Sequence, residues 1–314
     1  MAVWLVTGAT GFIGRQVMRV LPTRDDTVVV VGRRCPPGWP ERAFATVDLQ
    51  DAPQTRAVIE RIAPDVVIHT AGRTPPAPDE DLYRINFWAT QHLLSALRSL
   101  RKTVRVVLSG SAAELGPVAE DRLPVSENYA CDPWSAYGRS KWMATKSALS
   151  ERSPLEVMVA RVFNPIGPGT PATQALGQFA TRLAEAGHEP LELSVGDLDS
   201  RRDFIDVRDV ARAMMAIIAR GRAGLVYHVG TGKSQRVGDG LARLVELSGR
   251  SVRLIVDPVC YERRGPADSR ADIDRISTHT GWQPQVCWED SLNDLWTTAH
   301  DLQRPRHAAS IAAA

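Results

Sequence analysis

The chain has 314 residues, 44% of them hydrophobic, with 38 basic against 36 acidic side chains and a formal charge of +2. That suits a soluble protein with a large buried core, and the even spread of charge offers no basic stripe for a nucleic-acid partner. The four cysteines, Cys35, Cys131, Cys260 and Cys287, form no C-x-x-C pair, so neither a zinc site nor a disulfide framework is indicated and free thiols in a reducing cytoplasm are expected. The first apolar run is too short for a signal peptide, and no stretch approaches the ~20 apolar residues that span a bilayer, so no membrane partner is expected.

Residues 3–6, Val-Trp-Leu-Val, read as a strand that stops at Thr7-Gly8-Ala9-Thr10-Gly11-Phe12-Ile13-Gly14 and leads into a helical pattern over 15–21. Such a junction leaves backbone N–H groups unpaired at the positive end of a helix dipole, which is a seat for a pyrophosphate. Gly8 permits the tight turn, Gly11 lets phosphate approach the backbone, and Gly14 lets helix and strand pack closely. The spacing is G-x-x-G-x-x-G. It resembles the short-chain dehydrogenase/reductase superfamily, and the wording TGATGFIG is most similar to its extended, nucleotide-sugar-modifying branch.

The first half alternates short β-rich runs with helical patterns, the signature of a parallel sheet with right-handed crossovers. Residues 27–31 read as a buried central strand. Where an NAD-binding strand usually ends in an acid that meets the adenosine ribose, this chain has Gly32-Arg33-Arg34. A carboxylate would repel the extra phosphate of NADP, whereas a guanidinium grips it, so Arg33 and Arg34 predict NADP(H), with NAD(H) as the alternative. Val47-Asp48-Leu49 ends a third strand, and the resemblance implies that Asp48 and Leu49 meet the adenine. A helix over 53–62 and a strand over 65–69 precede Thr70-Ala71-Gly72, similar to the family's small-residue loop beneath the cofactor ribose. His69 reads as packed at a strand end. Residues 83–100 repeat apolar positions at helical spacing, with Asn86 among them. By resemblance Asn86 belongs to the cofactor site and this helix helps to form a homodimer.

A strand over 104–108 delivers Ser109-Gly110-Ser111-Ala112-Ala113-Glu114-Leu115-Gly116. In open α/β sheets the chemistry lies beyond the carboxyl ends of the strands, which places Ser111 well. Downstream, Tyr137-Gly138-Arg139-Ser140-Lys141 opens a helix over 136–150, with Tyr137 and Lys141 four residues apart on one face. A phenol near pKa ~10 is a poor proton shuttle, but a cation at ~4 Å and an effective dielectric of ~20 is worth roughly 4 kcal/mol, about three pK units. Ser111, Tyr137 and Lys141 are the expected catalytic residues. Tyr137 donates the proton, Ser111 bonds the same substrate oxygen, and Lys141 holds the nicotinamide ribose and tunes Tyr137.

In the second half, a strand over 155–160 runs into Arg161-Val162-Phe163-Asn164-Pro165-Ile166-Gly167-Pro168-Gly169, similar to the family's R-x-x-N-x-x-G-P segment. The resemblance implies that Asn164 reaches the sugar-nucleotide phosphates and that Pro165 lies against nicotinamide. Residues 195–210 match the R-D-F/Y-x-x-V-x-D signature, making Arg202 the expected diphosphate clamp. Helices over 179–186, 207–220, 237–247 and 288–302 and a strand and glycine turn over 227–232 are also expected. Arg263-Arg264-Gly265-Pro266-Ala267-Asp268 resembles a late R-P-x-D/E element, with Gly265 where the family has its arginine.

The expected fold is α/β: a Rossmann doubly wound parallel sheet over 1–165, completed by parts of 203–232. A smaller interleaved substrate-binding lobe would take 166–202 and 233–303, with 304–314 a fraying tail. Within the branch, GSAAE-x-G, GDLDSRRDFIDVRDV and TGW-x-P are most similar to the NDP-4-keto-6-deoxyhexose reductases, especially the GDP-4-dehydro-6-deoxymannose reductase group. Dehydratases of the branch place an acid two residues after the Ser/Thr; here that residue is Ala113, and Glu114 is one further on. The expected activity is reduction of a nucleotide-diphosphate 4-keto-6-deoxysugar in the cytoplasm. The alternatives are an epimerase or 4,6-dehydratase with recycled cofactor, or a silent dinucleotide-binding redox sensor.

Overall fold

The computed structural model describes residues 1–21, 26–186, 191–258 and 266–303. Cys260, Arg263, Arg264, Gly265 and the expected tail lie outside the described residues. The first half builds the centre of the molecule from β1 (Val3–Thr7), β2 (Thr27–Gly32), β3 (Phe44–Thr46), β4 (Val66–His69), β5 (Val104–Ser111) and β6 (Leu155–Val162). With Val226–Val229 they form a seven-stranded sheet in the order Val226–Val229, β6, β5, β4, β1, β2, β3. Every pairing is parallel. The order reverses between β1 and β4, the point at which doubly wound sheets open a crevice.

Helices cover both faces because the strands are apolar on both sides. On one face α1 (Phe12–Val20) and α7 (Val207–Arg220) bury Val17, Val210, Met214 and Ile217 against Val6, Val30 and Met158. On the other, α2 (Ala52–Ile62), α4 (Ala89–Ser99) and α5 (Ala136–Ser150) bury Ile59, Leu93, Leu97 and Ala148 against Leu5, Val67 and Val157. Among the described residues no helix is long and apolar enough to cross a membrane.

The expected helix over 83–100 differs in detail. A short α3 (Asp79–Tyr83) runs through a π turn at Arg84–Trp88 into α4. The third strand stops at Thr46, although the Val47 N–H still reaches the Gly32 carbonyl at 3.0 Å.

Beyond β6 only Val226–Val229 joins the main sheet among the described residues, and the other strands form two-stranded ribbons. Asn164–Ile166 pairs with Phe204–Asp206, Arg201–Arg202 with Gln235–Arg236, and Leu191–Val195 with Val252–Val256. A separate core of Leu176, Phe179, Leu183, Leu241, Leu244, Leu292 and Leu295 ties α6 (Ala175–Glu185), α8 (Val237–Ser248) and the helix Trp288–Gln303 together. The ribbon Leu191–Val195 with Val252–Val256 and the helix Asp274–Thr280 carry no motif and were not expected from the sequence.

Candidate active site

The glycine turn shows why its residues are glycine. Gly8 has φ +72°, and a Cβ there would lie 2.4 Å from the Ala71 nitrogen; a Cβ on Gly14 would lie 2.0 Å from the Gly8 carbonyl oxygen. The turn closes with the Gly11 N–H donating to the Gly8 carbonyl at 2.9 Å. Gly11 caps α1 with no side-chain hydrogen bond. The first-turn N–H groups, those of Phe12, Ile13 and Gly14, therefore remain for an anion.

A cavity of about 980 Å³ opens over this turn, lined among others by Gly8, Thr10, Gly11, Arg33, Arg34, Asp48, Leu49, Thr70, Ala71 and Gly72. Arg33 and Arg34 are exposed at the end of β2 and form no ion pair among the described residues. Arg15 and Arg19 on α1 line the same cavity, and the sequence reading passed over them because they look like the solvated face of a helix. The small-residue loop is seated by β1: the Thr70 hydroxyl donates to the Thr7 carbonyl at 2.7 Å and the Ala71 N–H to the Thr7 hydroxyl at 3.2 Å.

Asn86 is not in that cavity. It is 1% exposed, its Oδ1 accepts from the Arg73 N–H at 2.8 Å, and its Nδ2 donates to the Arg73 carbonyl at 2.9 Å and the Ser140 hydroxyl at 3.0 Å. A buried amide whose polar atoms are engaged in this way ties the loop after Gly72 to α5, a bracing role that the sequence did not show beside the expected cofactor contact. His69 is packed, as the sequence suggested. Its Nδ1 lies 2.6 Å from the Thr7 hydroxyl and its Nε2 3.0 Å from that of Thr90, and burial lowers its pKa to about 3.

The structure brings Ser111 and Tyr137 together. Ser111 ends β5 opposite Val162 of β6 and opens a 3-10 turn, Ala112–Glu114, in a capping box with Glu114. Ser135 caps α5, accepting from the Gly138 N–H at 3.0 Å, which sets Tyr137 in the first turn. A Cβ on Gly138 would lie 2.3 Å from the Ala113 carbonyl oxygen, so only glycine lets α5 press this closely on the Ser111 turn. The Ser111 hydroxyl acts on the Tyr137 phenol, pulling its pKa down against the rise that burial brings.

The expected tuning by Lys141 is not what the structure shows. Burial raises the phenol above its ordinary pKa, and the Glu114 charge adds to the rise. The Lys141 ammonium, itself lowered by burial, donates to the Ser109 carbonyl. Helical spacing put both groups on one face, but it could not show that a strand carbonyl would take the ammonium. A neutral phenol is nonetheless the form that donates a proton.

Glu114 is fully buried, with one oxygen on the Ser111 N–H at 2.7 Å and the other paired with Arg161 at 3.0 Å. The pairing with Arg161 was not expected, since that residue lies 47 positions away.

In the lobe, the ribbon pairing sets Asn164 opposite Phe204, two residues along the chain from Arg202. The Asn164 amide donates to the Asp203 carbonyl at 3.2 Å. The Arg202 guanidinium donates to the carbonyls of Arg201 at 2.7 Å and Pro266 at 2.6 Å, and burial lowers its pKa. It has no carboxylate in ion-pair contact among the described residues. A half-buried cation held by carbonyls alone suits an anionic ligand. The fully buried Asp203 carboxylate accepts from the Thr231 N–H and hydroxyl, both at 2.7 Å, and from the Gly232 and Ala271 N–H groups, both at 3.0 Å. That knot fixes the backbone on either side of Arg202. Pro165 lies opposite Ile205 in the same ribbon as Asn164.

A model of the NAD dependent epimerase/dehydratase family matches residues 4–230. The GDP-6-deoxy-D-mannose reductase of Pseudomonas aeruginosa is 31% identical over 299 residues, covering 92% of this chain and 94% of that relative. The dTDP-6-deoxy-L-talose 4-dehydrogenase (NAD(P)(+)) of Kitasatospora kifunensis is 29% identical over 302 residues, covering 93% and 94%. Among solved structures, RMD from Pseudomonas aeruginosa complexed with NADPH superimposes with a TM-score of 0.81 at 27% identity, over 96% of this chain and 100% of that one.

Proposed function

This chain belongs to the NAD dependent epimerase/dehydratase family, a family of NAD(P)-dependent enzymes, and on that premise we propose that it reduces the 4-keto group of a nucleoside-diphosphate 4-keto-6-deoxysugar with NADPH. The uncapped helix start, the missing Cβ atoms at Gly8 and Gly14 and the arginines at the end of β2 fit a phosphorylated dinucleotide. That cofactor, when bound, supplies the hydride. Tyr137 gives its proton to the sugar oxygen, and Ser111 hydrogen-bonds the same oxygen. Lys141 would leave the Ser109 carbonyl to hold the nicotinamide ribose. Asn164 and Arg202 take the diphosphate, with residues 166–202 and 233–303 as the substrate lobe.

The observation that carries reduction over elimination is the state of Glu114. An acid placed to remove a proton from the sugar would need a free oxygen beside Ser111, and both Glu114 oxygens are engaged inside the protein. The reading extends to a cytoplasmic homodimer through α4 and α5, beside which Trp88 is 55% exposed.

The test is stoichiometric. Given GDP-4-dehydro-6-deoxy-D-mannose or its dTDP counterpart, the protein should consume one NADPH per sugar reduced. Sugar conversion with no net NADPH consumption would establish the epimerase or dehydratase reading instead.

A further inference from the structure

Glu114, Arg161 and His228 are 0%, 3% and 0% exposed, and the proposed reaction uses none of them. Buried charges are costly unless their geometry satisfies them, and here it does. Glu114 Oε1 accepts from the Ser111 N–H at 2.7 Å, while Oε2 receives Arg161 Nε at 3.1 Å and Nη2 at 3.0 Å. Arg161 Nη1 lies 3.3 Å from His228 Nε2, and His228 Nδ1 lies 3.1 Å from the Val125 carbonyl. A carbonyl only accepts, so Nδ1 carries the proton, Nε2 accepts from Arg161, and the imidazole is neutral. Burial keeps it so by holding the His228 pKa well below its ordinary value. The His228 backbone N–H donates to Glu127 at 3.0 Å, which Arg275 faces at 3.6 Å.

These contacts run across three neighbouring strands, from Val226–Val229 through β6 to the end of β5. They stop at the turn that carries Ser111. Gly110 belongs to the same arrangement, because a Cβ there would lie 2.7 Å from Glu114 Oε1. The turn is thus built around the carboxylate.

We propose that Glu114 is a positioning residue for the reduction: one oxygen fixes the Ser111 turn against Tyr137, and the other, anchored by Arg161, sets a negative charge behind the phenol. The inference rests on Ser111 and Tyr137 being the reacting pair. The groups that surround this charge are Arg161 from β6, backed by neutral His228 from the edge strand, the Cys131 thiol from the loop before α5, and Tyr137 and Lys141 from α5.

The sign of the effect follows. Reduction needs the protonated phenol, and a negative neighbour disfavours phenolate. Exchanging Glu114 for glutamine keeps an oxygen for the Ser111 N–H but removes the charge and leaves the Arg161 cation unopposed. Both changes favour phenolate, so the proton is lost at lower pH.

The experiment follows NADPH oxidation by GDP-4-dehydro-6-deoxy-D-mannose across pH, and in parallel the phenolate absorbance step that Tyr137→Phe abolishes. E114Q should move the alkaline limb and that step down by about one pH unit, with KM for NADPH unchanged. E114Q/R161M, which removes both charges together, should return the limb towards its native position. E114D keeps the charge but withdraws the oxygen from Ser111, so kcat should fall about tenfold with the limb unmoved. An unmoved limb in E114Q, or native kcat in E114D, overturns the proposal, and E114D decides the matter if E114Q does not fold. If Tyr137→Phe turns over normally, the reacting pair is wrong and the reading above fails. If Tyr137→Phe is inactive while E114Q and E114D behave as native, only the role of Glu114 fails.

Discussion

The turn at residues 8–14 is made of backbone, whereas the corner at Asn164 and Arg202 is made of side chains steadied by distant backbone. At the turn, what matters is the absence of atoms: Cβ positions on Gly8 and Gly14 fall 2.4 and 2.0 Å from main-chain atoms. At the corner, what matters is a charge, the Arg202 guanidinium held by the carbonyls of Arg201 and Pro266. A substitution in the first region therefore acts through shape and in the second through electrostatics. The two regions should fail differently, and that difference can be measured.

The largest effect is expected at the turn. Gly14→Ala pushes a methyl group into the Gly8 carbonyl and displaces the start of α1, an overpacking cost of up to about 3 kcal/mol. Spent on the cofactor seat, that is a loss of about 100-fold in NADPH affinity. Titration of NADPH fluorescence, with circular dichroism as the control for folding, checks it. Unchanged affinity would mean that the turn reshapes freely.

The same contrast explains what the sequence disclosed. The glycine turn, the strands of the first half and the pair Tyr137 and Lys141 are set by neighbours within four to seven residues, so spacing alone placed them on strand, turn and helix. The parallel sheet of the first half followed from that repetition. What stayed hidden depends on long-range partners. Asn86 became a bracket because Ser140 lies 54 residues on, and Glu114 is matched in the interior by Arg161 from the next strand, which His228 backs from the strand beyond. Asp203 is engaged by residues 28 to 68 positions away. The two- and three-residue strands of the lobe are too brief for any period to show.

The corner should lose less, and lose it selectively. A charge-assisted bond from arginine to phosphate contributes roughly 1.5–3 kcal/mol, so Arg202→Ala should raise KM for the nucleotide sugar about 10- to 100-fold. If ground state and transition state hold the diphosphate equally, kcat changes little. NADPH affinity, governed by the turn, should stay native. An unchanged KM, or equal reduction of the free sugar by the native protein, would remove the diphosphate from the corner.

The smallest effect lies where the two principles meet, at the end of β2, a backbone-built strand that chooses its cofactor by side chain. Gly32 has nothing within 4 Å of the position a Cβ would take, so an aspartate enters without strain and any change is electrostatic. Gly32→Asp with Arg33→Ser adds a carboxylate that repels the 2′-phosphate and removes one cation that attracts it. Both Arg33 and Arg34 are exposed, and charges in water are worth only about 0.2–1 kcal/mol each. Arg15, Arg19 and Arg34 also remain around the cavity. The ratio of kcat/KM for NADPH over NADH should therefore fall about tenfold, and the native ratio should itself decline as salt is raised, because exposed charges are screened. Equal kcat/KM for the two cofactors in the native protein would show that Arg33 and Arg34 do not select between them.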